Sequence, residues 1–383
     1  MRIAILSDGV HPYVIGGMQR HTYYLVKYLS RAGIKVTLFH YNNSEKDIHL
    51  LEVFSEEERS NIESIVLEFP KGDRFPGHYV RASHKYSERI YDKIKDRLNE
   101  FDFIYSKGFS AWKLIEEKKK GNKEIPPIGV KFHGYEMFQM QANFKSRLGA
   151  MVLRGPVKWI TQNANFVFSY GAKITDIIRS LGVKNEKIIE IPAGIEKEWL
   201  RTDIPETSGI RKFIFLGRYE RRKGVEELNQ AIRKLIQSGE RFSFEFIGPF
   251  ELDMQVKSDS VVYHGTITDN LQLRYILDNS HVLVCPSWSE GMPNVILEGM
   301  ARGNAILATD VGANSIMVAE DNGLFVKTGD VEDLYQNLKR LIHTDDTKIG
   351  QMRMNSISKI ENKLLYNKII DMFVGIIKNK INK

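Results

Sequence analysis

Ser287-Trp288-Ser289-Glu290-Gly291-Met292-Pro293-Asn294-Val295-Ile296-Leu297-Glu298-Gly299-Met300-Ala301 follows directly on the apolar run Val282 to Val284. A short β-branched run, a polar loop and then apolar residues at helical spacing read as strand, loop and helix in succession. Pro293 suits the first turn of that helix, because the N–H it lacks would be unpaired there anyway. The amides of Asn294, Val295 and Ile296 are then expected to face an anion such as a diphosphate. Glu298 lies four residues beyond Asn294 on one helical face, where its carboxylate would accept hydrogen bonds from two neighbouring hydroxyls, as a ribose presents. Glu290 sits in the loop, nearer the sugar end of a nucleotide sugar lying there. The plainer alternative makes Glu298 a solvated helix residue and Glu290 a helix-approach charge. The glycines and the proline around them weigh against it.

The same alternation extends through the whole chain. Ile3 to Leu6, Val36 to Phe39, Ile65 to Phe69, Phe103 to Tyr105, Ile128 to Phe132, Val167 to Phe168 and Ile188 to Ile191 form one series of short apolar runs separated by helical stretches. Phe213 to Leu216, Phe244 to Ile247, Val261 to Tyr263, Val282 to Val284, Ala305 to Ala308 and Leu324 to Val326 form another. Each series predicts a parallel sheet wrapped by helices. Met18, Thr22, Leu25 and Leu29 fall on one face of the first helix, which Gly33 closes. The polar stretch Arg201 to Gly209, with Pro205, Ser208 and Gly209, reads as a linker. The predicted organisation is a first α/β domain over 1–200, a second over 201–360, and a C-terminal helix over 361–383 packing back on the first. Two closing helical segments are expected, around Leu334 to Ile342 and Leu364 to Ile377, before the basic tail Lys378 to Lys383.

A second strand-loop-helix joint is Phe213-Ile214-Phe215-Leu216-Gly217-Arg218-Tyr219-Glu220-Arg221-Arg222-Lys223-Gly224. It concentrates positive charge at the carboxyl end of a strand, where open α/β sheets place ligands. Arg218 and Lys223 are suited to neutralise a diphosphate without a metal and to stabilise the charge that grows as it departs. Arg221 and Arg222 are equally well read as a solvated cationic loop.

Composition limits the alternatives. The chain has 383 residues, 42% hydrophobic and 27% charged, enough for two cores and far from disordered usage. One cysteine, Cys285, excludes an internal disulfide and any multi-cysteine metal site. The N-terminal apolar run is too short for a signal peptide, and no run approaches the length of roughly 20 residues that crosses a bilayer. These features read as a cytoplasmic protein. The net charge of +7 favours an anionic partner without choosing among nucleic acid, an acidic membrane and a phosphorylated small molecule.

Both joints, together with Pro12-Tyr13-Val14-Ile15-Gly16-Gly17 after the first strand and His133-Gly134 after the fifth, resemble the large retaining glycosyltransferase family 4. The resemblance covers nearly the whole chain, and its most specific element is the pair Glu290 and Glu298, seven residues between them. It implies a GT-B architecture, two facing Rossmann-like domains with a donor cleft between them. It further implies that Arg218 and Lys223 bind the diphosphate, Glu298 the ribose and Glu290 the sugar hydroxyls. By the same resemblance the amides of Gly291, Met292, Pro293's neighbour Asn294 and Val295 cover sugar and phosphate. Gly16 and Gly17 would let the backbone approach the donor phosphate, a use of glycine that also makes steric sense, and His133 would stand beside the reacting sugar. His133, Glu290, Arg218 and Lys223 are thus the expected catalytic set. Family members retain the anomeric configuration, with a donor phosphate oxygen taking the acceptor proton, so neither a protein base nor a metal or other cofactor is expected. The donor is expected to be a UDP-sugar, GDP and ADP staying open, with the base against the loops after Ile247 and Tyr263. The acceptor is expected to be a glycan or a lipid-linked sugar in cell-surface polysaccharide or glycolipid synthesis. One departure is Ile316, which stands where relatives often carry a glutamate after Gly312-Ala313-Asn314-Ser315.

Other activities fit the sequence less well. A nucleotide-sugar epimerase or a phosphorylase would use the same scaffold, since fold does not fix reaction. A nucleic-acid-binding protein is supported by net charge alone, so no nucleic-acid partner is expected. No G-x-G-x-x-G follows the first strand, which disfavours a dinucleotide dehydrogenase. The stretch Met140 to Ile160 mixes Phe144, Leu148, Met151, Val152, Leu153, Val157 and Trp159 with Lys145, Arg147, Arg154 and Lys158. It reads either as a surface for an anionic membrane, with the protein peripheral at the inner face, or as a core-packing helix with a basic side. Gly155-Pro156 is expected to interrupt it.

Overall fold

The computed structural model describes residues 1–14, 16–42, 51–72, 75–204 and 206–381. Ile15 of the glycine loop, Pro205 of the expected linker and the last two residues of the basic tail lie outside the described residues. The chain forms two compact units: residues 1–138, 148–193 and 366–383 make the first, residues 139–147 and 194–365 the second.

The first unit is a seven-stranded parallel sheet: β1 (Arg2–Leu6), β2 (Lys35–Tyr41), β3 (Ile62–Leu67), β4 (Phe103–Lys107), β5 (Ile128–Lys131), β6 (Phe166–Ser169) and β7 (Ile188–Glu190), in the order β3-β2-β1-β4-β5-β6-β7. Its helices are α1 (Gly17–Arg31), α2 (Glu56–Arg59), α3 (His78–Ile94), α4 (Trp112–Lys119), α5 (Phe144–Asn163, whose first turn belongs to the second unit) and α6 (Lys173–Ser180). On α1 the expected apolar face is buried at Thr22, Leu25 and Leu29, with Val26 beside it. The third strand lies earlier than the sequence suggests, over Ile62–Leu67, because it pairs with β2 from Val36 opposite Ile62 to Tyr41 opposite Leu67. Phe69 has already left the sheet and packs on Tyr86.

The second unit carries a six-stranded parallel sheet: β8 (Arg211–Leu216), β9 (Phe242–Ile247), β10 (Val261–Tyr263), β11 (Val282–Cys285), β12 (Ala305–Thr309) and β13 (Gly323–Val326), in the order β10-β9-β8-β11-β12-β13. Around it lie α7 (Val225–Gln237), α8 (Asn270–Asp278), α9 (Asn294–Ala301), α10 (Asn314–Met317), α11 (Val331–Ile342) and α12 (Asp346–Lys359). Leu228, Ile232 and Leu235 of α7 bury against Phe213, Phe244 and Phe246 of the sheet, each such side chain contributing about 1.5–3 kcal/mol of transfer free energy. The last helix, α13 (Tyr366–Ile381), belongs to the first unit. There Ile369, Ile370, Phe373 and Ile377 join the core of β1 and β4, and Phe373 stacks on Phe168.

Two expectations are corrected. Helix α12, for which no segment was expected, starts at Asp345, whose side chain accepts from the Thr347 amide, and buries Ile349, Met352 and Ser356. Its apolar residues are sparse, so periodicity did not reveal it. Helix α5 runs unbroken through Gly155 and Pro156. The carbonyl that Pro156 cannot serve is that of Val152, a residue on the exposed side of the helix. Both readings of this stretch hold in part: Phe144, Leu148, Met151 and Val152 of α5 are exposed, whereas Val157 and Ile160 are buried in the core.

Candidate functional site

The strand order of the second unit reverses between β8 and β11, which pair directly, Phe213 opposite Val282. Connections leaving such a point in opposite directions open a crevice above the carboxyl ends of the strands. The two motifs singled out from the sequence are the two segments that leave β8 and β11.

The segment after β8 turns through a single 3₁₀ turn, Arg221–Lys223, into Gly224, which is left-handed at φ 70°. A Cβ on Gly224 would stand 2.0 Å from the Pro286 carbonyl oxygen. Only glycine lets the two segments press together here. That approach puts the Lys223 ammonium 2.6 Å from Glu290 Oε1, an oxygen that also accepts from Ser287 Oγ at 2.8 Å. Arg222 Nη1 lies 3.5 Å from Glu290 Oε2. Burial raises the pKa of the Glu290 carboxyl, but Lys223, Arg222 and the two hydrogen bonds outweigh it and hold the group below its usual range, so it is ionised.

The Glu290 backbone is fixed from the other side. Gly312 is left-handed at φ 57°, and a Cβ there would meet the carbonyl oxygens of Glu290 at 2.2 Å and Gly291 at 2.5 Å. The Ala313 amide donates to Gly291 O at 2.7 Å. Gln139 Nε2 donates to the Glu290 carbonyl at 2.6 Å. The loop where Ile316 departs from the family pattern therefore braces Glu290, and Ile316 itself is exposed.

Pro293 is the N-cap of α9, with ψ 125°, not its first residue. The Ile296 amide consequently bonds back to the Pro293 carbonyl at 3.1 Å. Of the three amides expected to face an anion, those of Asn294 and Val295 remain without an intrahelical acceptor. Gly291, Met292 and Pro293 are buried. Glu298 is 7% exposed, which corrects the alternative of a solvated helix residue. Arg218 stays on the rim, its side chain 72% exposed and paired with Glu220 at 2.8 Å. Lys223 and Glu290 are thus brought together, with Ser287 and Arg222 added to them. Arg221 turns away to Glu227 at 2.6 Å.

In the first unit the strand order reverses between β1 and β4. Gly16 caps α1 in an extended conformation, φ 166°, and a Cβ on Gly17 would meet nothing within 4 Å. Space therefore lies open beside the first turn of α1. Half-buried His133 follows β5, with the Tyr170 hydroxyl 3.3 Å from its Nδ1 and 3.4 Å from its Nε2 and the His21 ring 5.7 Å away. Two buried lysines lie on adjacent strands beneath them, Lys107 opposite Lys131. Lys107 Nζ donates to Met18 O at 2.7 Å, and Lys131 Nζ sits 3.7 Å from the centre of the Tyr170 ring. The sequence reading missed Lys107, Lys131, Tyr170 and His21. For the two lysines the signal was a charge at the last position of a buried strand.

Among the described residues no group of three or more His, Cys, Asp or Glu side chains is placed to hold a metal ion, and no helix is long and apolar enough to cross a membrane.

Comparison with known proteins adds the following. The model of Glycosyltransferase Family 4 matches residues 15–199, and that of Glycosyl transferases group 1 matches residues 210–344. An uncharacterized glycosyltransferase of Methanocaldococcus jannaschii is 25% identical over 352 residues, 90% of each chain. The UDP-Gal:alpha-D-GlcNAc-diphosphoundecaprenol alpha-1,3-galactosyltransferase of Escherichia coli is 26% identical over 231 residues, 53% of this chain and 58% of its own. The structure of a sucrose-phosphate synthase from Thermosynechococcus elongatus superposes with a TM-score of 0.78 at 18% identity, covering 100% of this chain and 99% of the other. That likeness shows the fold, the GT-B type with its two Rossmann-like domains.

Proposed function

Since this chain belongs to glycosyltransferase family 4 and is a glycosyltransferase, we propose that it transfers a sugar from a UDP-sugar to a lipid-linked or glycan acceptor, with retention and without a divalent metal. The observation that carries this reading is the buried Lys223–Glu290 pair at the topological switch point of the second unit. An ammonium held there is placed to neutralise a departing diphosphate, with Arg218 on the rim as a second cation. Glu290 keeps Lys223 oriented, and its second oxygen is placed to accept from donor-sugar hydroxyls. Glu298, buried on α9, is assigned to the ribose diol. In the transfer the bond from the anomeric carbon to the donor phosphate oxygen breaks. A bond to the acceptor hydroxyl oxygen forms on the same face, and the hydroxyl proton passes to the departing phosphate. The printed substrates of the Escherichia coli relative, UDP-Gal and a diphosphoundecaprenol-linked sugar, support the donor and the acceptor class.

Thermal unfolding with UDP, GDP, ADP and their sugar conjugates, without added metal, tests the site. A ligand that binds only the folded state at 100 times its Kd adds about 2.7 kcal/mol. UDP is expected to raise the midpoint of the wild type, and Arg218→Ala and Glu298→Ala are each expected to remove most of that shift. Equal shifts in the variants would place the nucleotide elsewhere.

A membrane-bound acceptor is supported by α5. Phe144, Leu148, Met151 and Val152 recur at helical spacing on one face and are exposed. The helix carries Lys145, Arg147, Arg154 and Lys158 and no acidic residue. Exposed Phe75 and Tyr79 flank Gly77, where an added Cβ would lie 3.6 Å from Val152. Apolar residues edged by cations suit an anionic bilayer surface, each cation contributing roughly 1 kcal/mol near it. The wild type is expected to sediment with vesicles containing phosphatidylglycerol at low salt, and Leu148→Ser/Met151→Ser to remain in the supernatant. Indifference of the wild type to such vesicles would refute the membrane contact.

A further inference from the structure

Gln139 has no part in the transfer proposed above, yet its side chain holds the residue assigned to the donor sugar. Half-buried Gln139 follows the 3₁₀ turn Glu136–Phe138 and groups with the second unit. Its Nε2 donates to the Glu290 carbonyl at 2.6 Å, and its Oε1 accepts from the Glu290 amide at 3.4 Å. One side-chain amide thus pairs with both backbone groups of one residue, as a neighbouring strand would. Among the described residues no backbone group bonds either of them. Glu290 is 6% exposed, and the peptide groups of a residue so buried need partners within the protein. Gln139 supplies both.

The pairing calls for a carboxamide. A carbonyl needs a donor and an N–H needs an acceptor, and a glutamine side chain carries one of each side by side. A carboxylate in its place would set an oxygen against the Glu290 carbonyl, and a thioether would offer no donor. The Gln139 backbone is itself tied, because Gln141 Nε2 donates to its carbonyl at 3.3 Å. Four residues after Gln139, Asn143 Oδ1 accepts from the Ser146 amide at 2.8 Å and fixes the start of α5. The Glu290 carboxylate is anchored separately, through Oε1 to Lys223 and Ser287. With Oε1 fixed at one end and the peptide at the other, the direction of Oε2 is set. Loss of the Gln139 bonds frees the peptide and leaves the carboxylate on Lys223, so what changes is where Oε2 points.

We propose that Gln139 is a positioning residue for the donor sugar: by clamping the Glu290 peptide it aims Oε2 at the sugar hydroxyls and so favours a nucleotide sugar over the bare nucleotide. This use of Gln139 rests on the nucleotide-sugar reading of the site. The nucleotide part of the donor is assigned to Glu298, Arg218 and Lys223, so it is the sugar's share of the affinity that depends on Gln139.

Two measurements on the full chain test this, for the wild type, Gln139→Met and Gln139→Glu. The first is hydrogen exchange, without nucleotide, in the peptide from Ser287 to Met292. The second is the Kd for UDP and for UDP-galactose, UDP-glucose and UDP-N-acetylglucosamine, the tightest of the three sugars being compared with UDP. In Gln139→Met the peptide is expected to exchange roughly tenfold faster while peptides of α7 keep the wild-type rate. The Kd for the UDP-sugar is expected to rise roughly tenfold, the equilibrium equivalent of one to two net hydrogen bonds, and that for UDP by less than about threefold. Gln139→Glu, which turns one bond into a repulsion, is expected to lose more of the sugar's share than Gln139→Met. Wild-type exchange and a wild-type ratio of the two constants in Gln139→Met would mean that the side chain only fills space, which overturns the proposal. Equal weakening of UDP and the UDP-sugar overturns it too, since a general loosening of the site acts on both. A wild type that binds neither overturns the nucleotide-sugar reading and this use of Gln139 with it, whereas the exchange rates decide separately whether Gln139 holds the Glu290 loop.

Discussion

Lys223→Met is expected to lower sugar transfer by at least ~10²-fold, the scale on which removing one preorganised charge-stabilising group acts, and to destabilise the fold as well. The Lys223 ammonium meets a carboxylate that is 6% exposed. Removing one partner of a buried ion pair leaves the other charge uncompensated, at a cost of about 3–5 kcal/mol. Ser287 and the more distant Arg222 offset part of this, so the low end of that range is expected. The two effects separate in a double-mutant cycle. Lys223→Met/Glu290→Gln removes both charges, so stability in urea is expected to recover relative to either single variant, while transfer stays lost. A double variant no more stable than the singles would show that the pair is not coupled. Normal transfer by Lys223→Met would remove this lysine from the chemistry.

Gly312→Ala is expected to be the most damaging single-methyl change at the site. The left-handed backbone disfavours any L-residue by roughly 1–2 kcal/mol. The added carbon would also collide with the Glu290 and Gly291 carbonyls, which cannot move without displacing the Glu290 side chain. Gly239 provides the comparison, since it is also left-handed, φ 72°, and a Cβ there would meet nothing within 4 Å. Chemical denaturation of Gly312→Ala and Gly239→Ala therefore measures the clash by difference. The expectation is a loss at least 2 kcal/mol larger for Gly312→Ala by order of magnitude, with transfer abolished in that variant and retained in Gly239→Ala. Equal losses would mean that the Glu290 loop yields freely and is not braced by Gly312.

The architecture was legible because parallel strands buried on both faces write themselves as short apolar runs, and thirteen of them appear at or near the expected positions. The residues that meet in the second unit, Lys223 and Glu290, stood out in the sequence because glycines and a proline sit beside them. What the sequence concealed follows from distance along the chain. Arg222 looked like a solvated cation, and nothing local says that it faces Glu290 from across the crevice. Gln139 contacts Glu290 across 151 residues, a pairing that no periodicity encodes. Gly312 stood in a loop noted only for the departure at Ile316, whereas its function there is steric. The terminal lysines of β4 and β5 were visible as letters, but only the register of the sheet makes them neighbours. Pro293 was misplaced by one position, a difference that decides whether Ile296 offers its amide outward or to its own turn.

The closing of the first core by α13 has a consequence for how the polypeptide is made. Tyr366 packs on Tyr24 and Tyr28, and Phe373 on Tyr105 and Phe168, so apolar surfaces near both ends of the first unit wait for the last helix. The whole of Gly194–Leu365 leaves the ribosome before that helix does. At translation speeds of about 5–20 residues per second the wait is roughly 10 to 30 s. During that interval the second unit has all of its own strands and can finish folding, while the nascent first unit still shows the aromatic faces that α13 will cover. Order of synthesis and order of completion are therefore opposite, and the earlier-made half is the one that exposes apolar surface for longest.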